Sequence, residues 1–404
     1  GPVDLDPTAG VAIGDIDGDG LPEIVTLTEN DHLRVHSNTG EVVAETAGLP
    51  GSQNNGSPAI ANLDAEGLAE IVLGNVVVTL REVDDGAGGL TLAIGDVFDG
   101  NGRGAEGRHG QGPISCVADM TGDGRQEVVA GSSVYRLPAP PSEATLGRVV
   151  TSSADCNASE VTDAADKDYC DAKLTLVWSG PGENPGQGAG DEGFCAVADI
   201  WGSVPEDTSA ELARPGPNSP LDGEPELVLV TGGRIQIFQG STGRLLYNES
   251  FPGGRGGAPN VDDFDGDGFP EVGTAFKLSY QMVDLQPATD LCPAWTEVWA
   301  SGGSTGGVAP PVSSLPRQPP AGACSEDADC DVLGEQFACN VGLGQCVCLH
   351  NGWSRQTQDD SSRVTGSSVF DFNGDGAAEV IYNDECFFRV YAGLDGEELF
   401  LAPS

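Results

Sequence analysis

One nine-residue phrase recurs six times along this chain, and it constrains the fold more than any other feature. Its first copy is Asp15-Ile-Asp17-Gly-Asp19-Gly-Leu21-Pro-Glu23, four carboxylates that would repel one another in any compact loop unless a cation sat among them. The second runs from Asn62 through Asp64, Glu66 and Leu68 to Glu70, and the third from Asp119 through Thr121, Asp123 and Arg125 to Glu127. The fifth has Asp263, Asp265, Asp267, Phe269 and Glu271; the sixth has Asp371, Asn373, Asp375, Ala377 and Glu379. The fourth is split: Asp199 opens it, residues 203–220 intrude, and Asp222, Glu224 and Glu226 complete it.

Each slot has a physical role. The first, third and fifth positions carry oxygen-bearing side chains that converge when the chain curls around an ion. The sixth is glycine in every copy, as a turn with positive φ requires. The seventh offers its backbone carbonyl, and the ninth is always a glutamate able to bind through both oxygens. An all-oxygen set of this kind suits calcium, which accepts six to eight oxygen ligands in loose geometry. An EF-hand is excluded, because it needs a glutamate at position twelve and flanking helices, whereas position twelve here is Thr26, Thr274 or Tyr382.

Short segments of small residues precede the phrases (GVAIGD, PAIAN, ISCVAD, CAVAD, SSVFD), and β-branched runs follow them (EIVTL, EIVLG, EVVAG, ELVLV, EVIYN). Three further hairpins read plainly at 33–43, 235–247 and 388–400, where alternating apolar runs flank a Thr-Gly or Asp-Gly turn. Strand, acidic loop, strand and outer hairpin, repeated every fifty residues or more, predict an all-β chain folded as a β-propeller of four-stranded blades. Six phrases predict six blades. A seventh would have to lie between Glu271 and Asp371, but residues 302–365 are rich in Gly, Pro, Ser and Cys and suit an insertion better.

These units resemble the FG-GAP and VCBS repeat propellers, a family that includes the headpiece propeller of integrin α subunits. The resemblance covers most of the chain through the six phrases and their flanking strands. It implies about one Ca2+ per blade, in the loop joining a blade's first and second strands, on the face opposite the usual ligand site. Three copies depart from the family pattern: the second begins with Asn62, the third has Thr121, and the fourth is interrupted.

Composition fits one all-β domain over residues 1–404, with a cysteine-rich insertion at 302–350 and Gly1-Pro2 read as a tag scar. Lys and Arg number 18 against 63 Asp and Glu, a net charge of -45, so nucleic acid and anionic membrane surfaces are expected to be repelled. No apolar run is long enough to suggest membrane insertion.

Eleven cysteines in an acidic chain point to a secreted or surface location. Cys156 and Cys170 bracket an acidic insertion and are expected to pair locally. Cys324, Cys330, Cys339, Cys346 and Cys348 form a cluster read as a disulfide staple; zinc is the rival reading, disfavoured because no C-x-x-C pair occurs. Cys116 and Cys195 either pair or fill space as small residues. His32, Arg34 and His36 share one face of a strand and are expected to be solvated. Gly302-Gly-Ser304-Thr-Gly306 matches a nucleophile pattern but has no strand before it or helix after it, so no catalytic residue is expected. The expectation for function is a calcium-bearing binding or adhesion module with a protein or glycan ligand, and not an enzyme. The alternative, a polysaccharide-active lyase, needs a basic or aromatic cluster that the sequence does not display.

Overall fold

The computed structural model describes residues 4–51, 53, 55–86, 88–100, 103–107, 112–180, 191–204, 220–251, 254–286, 323–325, 327–333, 337–340, 344–349, 352–359 and 365–404. Six four-stranded antiparallel sheets account for nearly all of its regular structure, which is the β-propeller blade pattern with six blades.

The first sheet runs β1 (Ala12–Gly14), β2 (Glu23–Leu27), β3 (Leu33–His36), β4 (Val42–Glu45), and the second β5 (Ala59–Ala61), β6 (Glu70–Leu73), β7 (Val76–Asp84), β8 (Leu90–Asp99). The third comprises β9 (Cys116–Ala118), β10 (Glu127–Ala130), β11 (Ser133–Arg136) and β12 (Thr175–Ser179); the fourth comprises β13 (Phe194–Ala198), β14 (Glu226–Thr231), β15 (Arg234–Gln239) and β16 (Leu245–Ser250). In the fifth, β17 (Asn260–Asp262), β18 (Glu271–Phe276) and β19 (Ser279–Val283) are followed by a separate hairpin, β20 (Phe337–Asn340) and β21 (Gln345–Cys348), before the fourth strand β22 (Trp353–Gln356) closes the sheet. The sixth is β23 (Ser367–Phe370), β24 (Glu379–Asn383), β25 (Phe387–Tyr391), β26 (Glu398–Pro403).

Every phrase lies between the first and second strands of a sheet. The second strands are continuous apolar runs because both their faces are covered: β10 and β14 are buried at every residue. The outermost strand of the sixth sheet, by contrast, is exposed along most of its length. All three hairpins expected from the sequence form, as β3–β4, β15–β16 and β25–β26.

The chain divides into two compact units, residues 1–197 with 240–245 and residues 198–239 with 246–404. In the first, Val25, Leu33 and Val35 pack with Ile71, Val76 and Val78, while Val72, Val77 and Phe98 pack with Val128, Tyr135 and Tyr169. In the second, Phe264, Tyr280, Met282 and Trp353 meet Val380, Tyr382 and Tyr391. Truncating such a buried aromatic to alanine costs about 3–5 kcal/mol.

The third and fifth sheets share a departure from the simple meander. In each, a stapled excursion separates the third strand from the fourth. The first carries the Cys156–Cys170 disulfide, with the helix Ala164–Cys170 capped by Asp163, whose Oδ1 accepts from Ala165 N at 2.9 Å. The second carries Cys324–Cys339 and Cys330–Cys346. Both excursions return on a tryptophan: Trp178 Nε1 donates to Gly240 O at 2.7 Å, and Trp353 Nε1 donates to Gly393 O.

Cys116 and Cys195 are paired, which resolves the two readings left open for them. Cys348 is also disulfide-bonded, to a partner outside the described residues, and Cys386 is a free, exposed thiol. Sulfurs committed to disulfides cannot ligate zinc as thiolates, so the cysteine cluster is a staple. His36 corrects an expectation: it is buried rather than solvated, with Nε2 2.9 Å from Thr26 Oγ1. Gly1-Pro2, Ser304, residues 205–219 of the fourth-loop insertion and much of 302–350 lie outside the described residues.

Candidate metal centres

The six phrases fold into one hydrogen-bonded frame. Its most constant element is the ninth-position glutamate, whose Oε2 accepts from the backbone N–H of the second position in every copy. Ile16, Leu63, Met120, Phe264 and Phe372 donate at 2.8–2.9 Å, and Ile200 at 3.1 Å. The second-position side chains of the first five copies are buried, so the residue that ties the loop to its glutamate also anchors the loop in the core. Phe372 is the exception, at 55% exposure.

The first-position aspartate braces the turn with both oxygens. In the fifth loop Asp263 Oδ1 accepts from Gly266 N at 2.7 Å and Oδ2 from Gly268 N at 2.9 Å; Asp15 and Asp371 do the same in their loops. Third-position side chains accept from the fifth residue, and fifth-position side chains from the seventh, as in Asp265 to Asp267 N (3.2 Å) and Asp267 to Phe269 N (2.9 Å). The sixth-position glycines have φ from 62° to 94°, with open space where a Cβ would stand. Backbone conformation, not room, demands glycine there. These bonds use one oxygen of each of Asp17, Asp19, Asp265 and Asp267 and leave the other outside the loop's own frame.

The split fourth loop reassembles across its insertion. Gly223 N donates to Asp199 Oδ2 at 2.8 Å, Glu224 N to Asp222 Oδ1 at 3.0 Å, and a bridge between Gly202 and Leu221 closes the neck of the intruding segment. Its third position is Trp201, which brings no oxygen. The second loop keeps the bonds of Asp64 (from Glu66 N, 2.9 Å) and Glu70, and at position four it holds Ala65 at φ 61° where the regular copies have glycine.

Two loops differ most at their centres. In the fifth, oxygens of Asp263, Asp265 and Glu271 lie within 4.8 Å of one another, as do those of Asp15, Asp17 and Asp19 in the first. Glu271 is fully buried, and its Oε1 has no hydrogen-bond partner among the described residues. Gln286 Nε2 donates to Asp267 Oδ2, and Asp284, one residue beyond the Val272–Val283 pair, faces the same cluster. In the third loop the corresponding place, one residue beyond Val128–Tyr135, belongs to Arg136, which pairs with Asp123 Oδ2 at 2.8 Å and with Glu127. Neither Asp284 nor Arg136 belongs to the phrase. Only strand register reveals them.

Burial disfavours ionisation of the framed glutamates in the absence of an ion. It pushes Glu226 up to about 8 and Glu70 up to about 7, and raises Glu23 and Glu379. Glu271 is pushed well above the usual carboxylate range by its complete burial and then by the charge of Asp265. Asp265 is raised by burial and by Asp267, Asp284 and Asp263; Asp267 is pushed up to about 6. A buried cluster of acceptors with one oxygen orphaned fits a hard divalent cation, which would let these groups ionise. The fifth loop meets that requirement; the first brings three carboxylates that are more exposed and equally close together, and in the sixth Asn373 Nδ2 donates to Asp375 Oδ2 at 2.9 Å and to Glu379 Oε1 at 3.0 Å.

No protein-family model matches the chain, and no curated protein does. Among solved structures, the V. cholerae biofilm matrix protein Bap1 is similar at 14% identity and TM-score 0.47, covering 99% of this chain and 70% of that one. An Agrocybe aegerita lectin that recognises non-reducing terminal N-acetylglucosamine is similar at 14% identity and TM-score 0.39, over 98% of this chain and 80% of its own. BamB from Moraxella catarrhalis is similar at 11% identity and TM-score 0.38, over 97% and 76%. Likenesses at this level assign no function.

Proposed function

We propose that the chain is an extracellular binding module of the FG-GAP/VCBS propeller kind. Calcium ions in the blade loops stiffen the scaffold, and loops at the other end of the blades take a protein or glycan ligand. The fifth loop carries the reading: a fully buried glutamate with an unpartnered Oε1, close to Asp263 and Asp265, has no compensated ionised form unless a cation joins it. The disulfides support an oxidising compartment, where millimolar calcium is also available. A net charge of -45 disfavours polyanionic partners. Arg34, Arg103, Arg136, Arg148, Lys173 and Arg389 are engaged in ion pairs and so are not available to neutralise a sugar carboxylate.

Calcium titration calorimetry of the full chain and of Asp265→Ala tests the metal reading. The variant is expected to lose one site and keep the others; an unchanged number of sites contradicts it. A glycan and protein-ligand screen with and without calcium tests the binding role, and a ligand retained after chelation would detach binding from the ions.

A further inference from the structure

The third loop has the frame of its neighbours, but its centre is filled from within. Arg136, the last residue of β11, sends its guanidinium between the arms of the loop. Its Nη2 donates to Thr121 Oγ1 at 2.8 Å, pairs with Asp123 Oδ2 at 2.8 Å and donates to Glu127 Oε1, which also accepts from Nε at 2.8 Å. These are the third-, fifth- and ninth-position side chains, the counterparts of Asp265, Asp267 and Glu271 in the fifth loop. Glu127 is completely buried, and with Met120 N on Oε2 at 2.9 Å both its oxygens are satisfied by protein. The third position is a threonine, so the loop holds one carboxylate fewer than its fifth counterpart while gaining a permanent cation.

An ion entering this centre would meet a guanidinium that does not deprotonate. Displacing it would strand a positive charge whose partners the ion had taken. Within the calcium reading of the other loops, on which this step rests, we infer that the third loop is a metal-free copy in which the Arg136 guanidinium stands where the ion would be. Blade three therefore keeps its loop closed at any calcium concentration.

The test counts calcium bound per chain, by equilibrium dialysis with radioactive calcium, on the full-length protein and four variants. Arg136→Met keeps the length of the side chain and removes its charge; it is expected to add one site, and the double variant Arg136→Met with Glu127→Gln is expected to lose that added site. Asp123→Asn alone, a change at a half-exposed carboxylate, should leave the wild-type number unchanged. An ion lost in Asp123→Asn, or no ion gained in a folded Arg136→Met protein, would overturn the inference. Should Arg136→Met fail to fold, Asp123→Asn decides alone. Asp265→Asn reports separately on the parent reading: if it leaves the wild-type number unchanged, the calcium assignment of the fifth loop fails, whatever the third loop does.

Discussion

Blades three and five share their layout to an unusual degree: the same loop frame, the same interruption between third and fourth strands, the same tryptophan on the returning strand. They differ in the residue placed beside the loop glutamate. Arg136 in one blade sits against Glu127; Asp284 in the other adds its charge to Glu271 and Asp265. The phrase therefore specifies a backbone shape, and a residue on the adjacent strand decides the charge inside it. One loop is closed by an internal cation, and the other accumulates carboxylates whose ionisation burial and mutual repulsion disfavour.

The largest expected effect is the loss of the ions. At about ten times its dissociation constant a bound ion stabilises the native state by roughly 1.4 kcal/mol. Three loops would then contribute on the order of 4 kcal/mol, about five degrees of melting temperature for a chain of 404 residues. Chelation is expected to lower the melting temperature by at least that much. Millimolar calcium should restore it, and magnesium should do so poorly because it demands tight octahedral geometry. A melting curve indifferent to chelation, in protein proven metal-free by elemental analysis, contradicts the account.

A smaller effect separates the two states by pH. In chelated protein the fifth-loop carboxyls of Asp267, pushed up to about 6, and Glu271, pushed well above the usual carboxylate range, sit above their unfolded values near 3.9 and 4.3. The native state then holds more protons than the unfolded chain above those unfolded values, so its stability falls as pH rises from about 4 through about 6 and onward until Glu271 ionises. The calcium-loaded protein should behave oppositely across the acid range, because protons compete with the ion for the same oxygens. Melting temperatures measured at pH 5, 6, 7 and 8 should drop with pH in chelator and rise in calcium by several degrees. The same sign in both conditions would sink the assignment.

The smallest effect comes from Asp284→Asn. Removing this charge should weaken the affinity of the fifth loop while raising the stability in chelator, by on the order of 1–2 kcal/mol in each case. Calorimetry and melting curves on the one variant check both signs. A fall in stability under chelation would mean that Asp284 supports the loop rather than crowding it.

Much of this was legible in the sequence because the phrase is local. Its glycines, its glutamate and the β-branched run behind it sit within nine residues and a strand, and the structure places all six copies between first and second strands. The fourth loop could be reassembled on paper because its two halves keep their internal spacing. What was not legible depends on register over long separations. The strands β12 and β22 return after excursions from Arg136 to Thr175 and from Val283 to Trp353, too far for any periodic pattern to link them to their sheets. The roles of Arg136 and Asp284 appear only once β11 and β19 are aligned against their glutamates. His36 looked solvated by alternation, but its hydroxyl partner Thr26 lies on the neighbouring strand, directly across from Arg34.

The most direct measurement is anomalous diffraction from crystals grown in calcium. The account predicts a peak inside the fifth loop, at calcium–oxygen distances of about 2.3–2.6 Å from Asp263, Asp265, Asp267 or Glu271, and none between Arg136 and Glu127. A peak in the third loop, or bare density in the fifth, would contradict it.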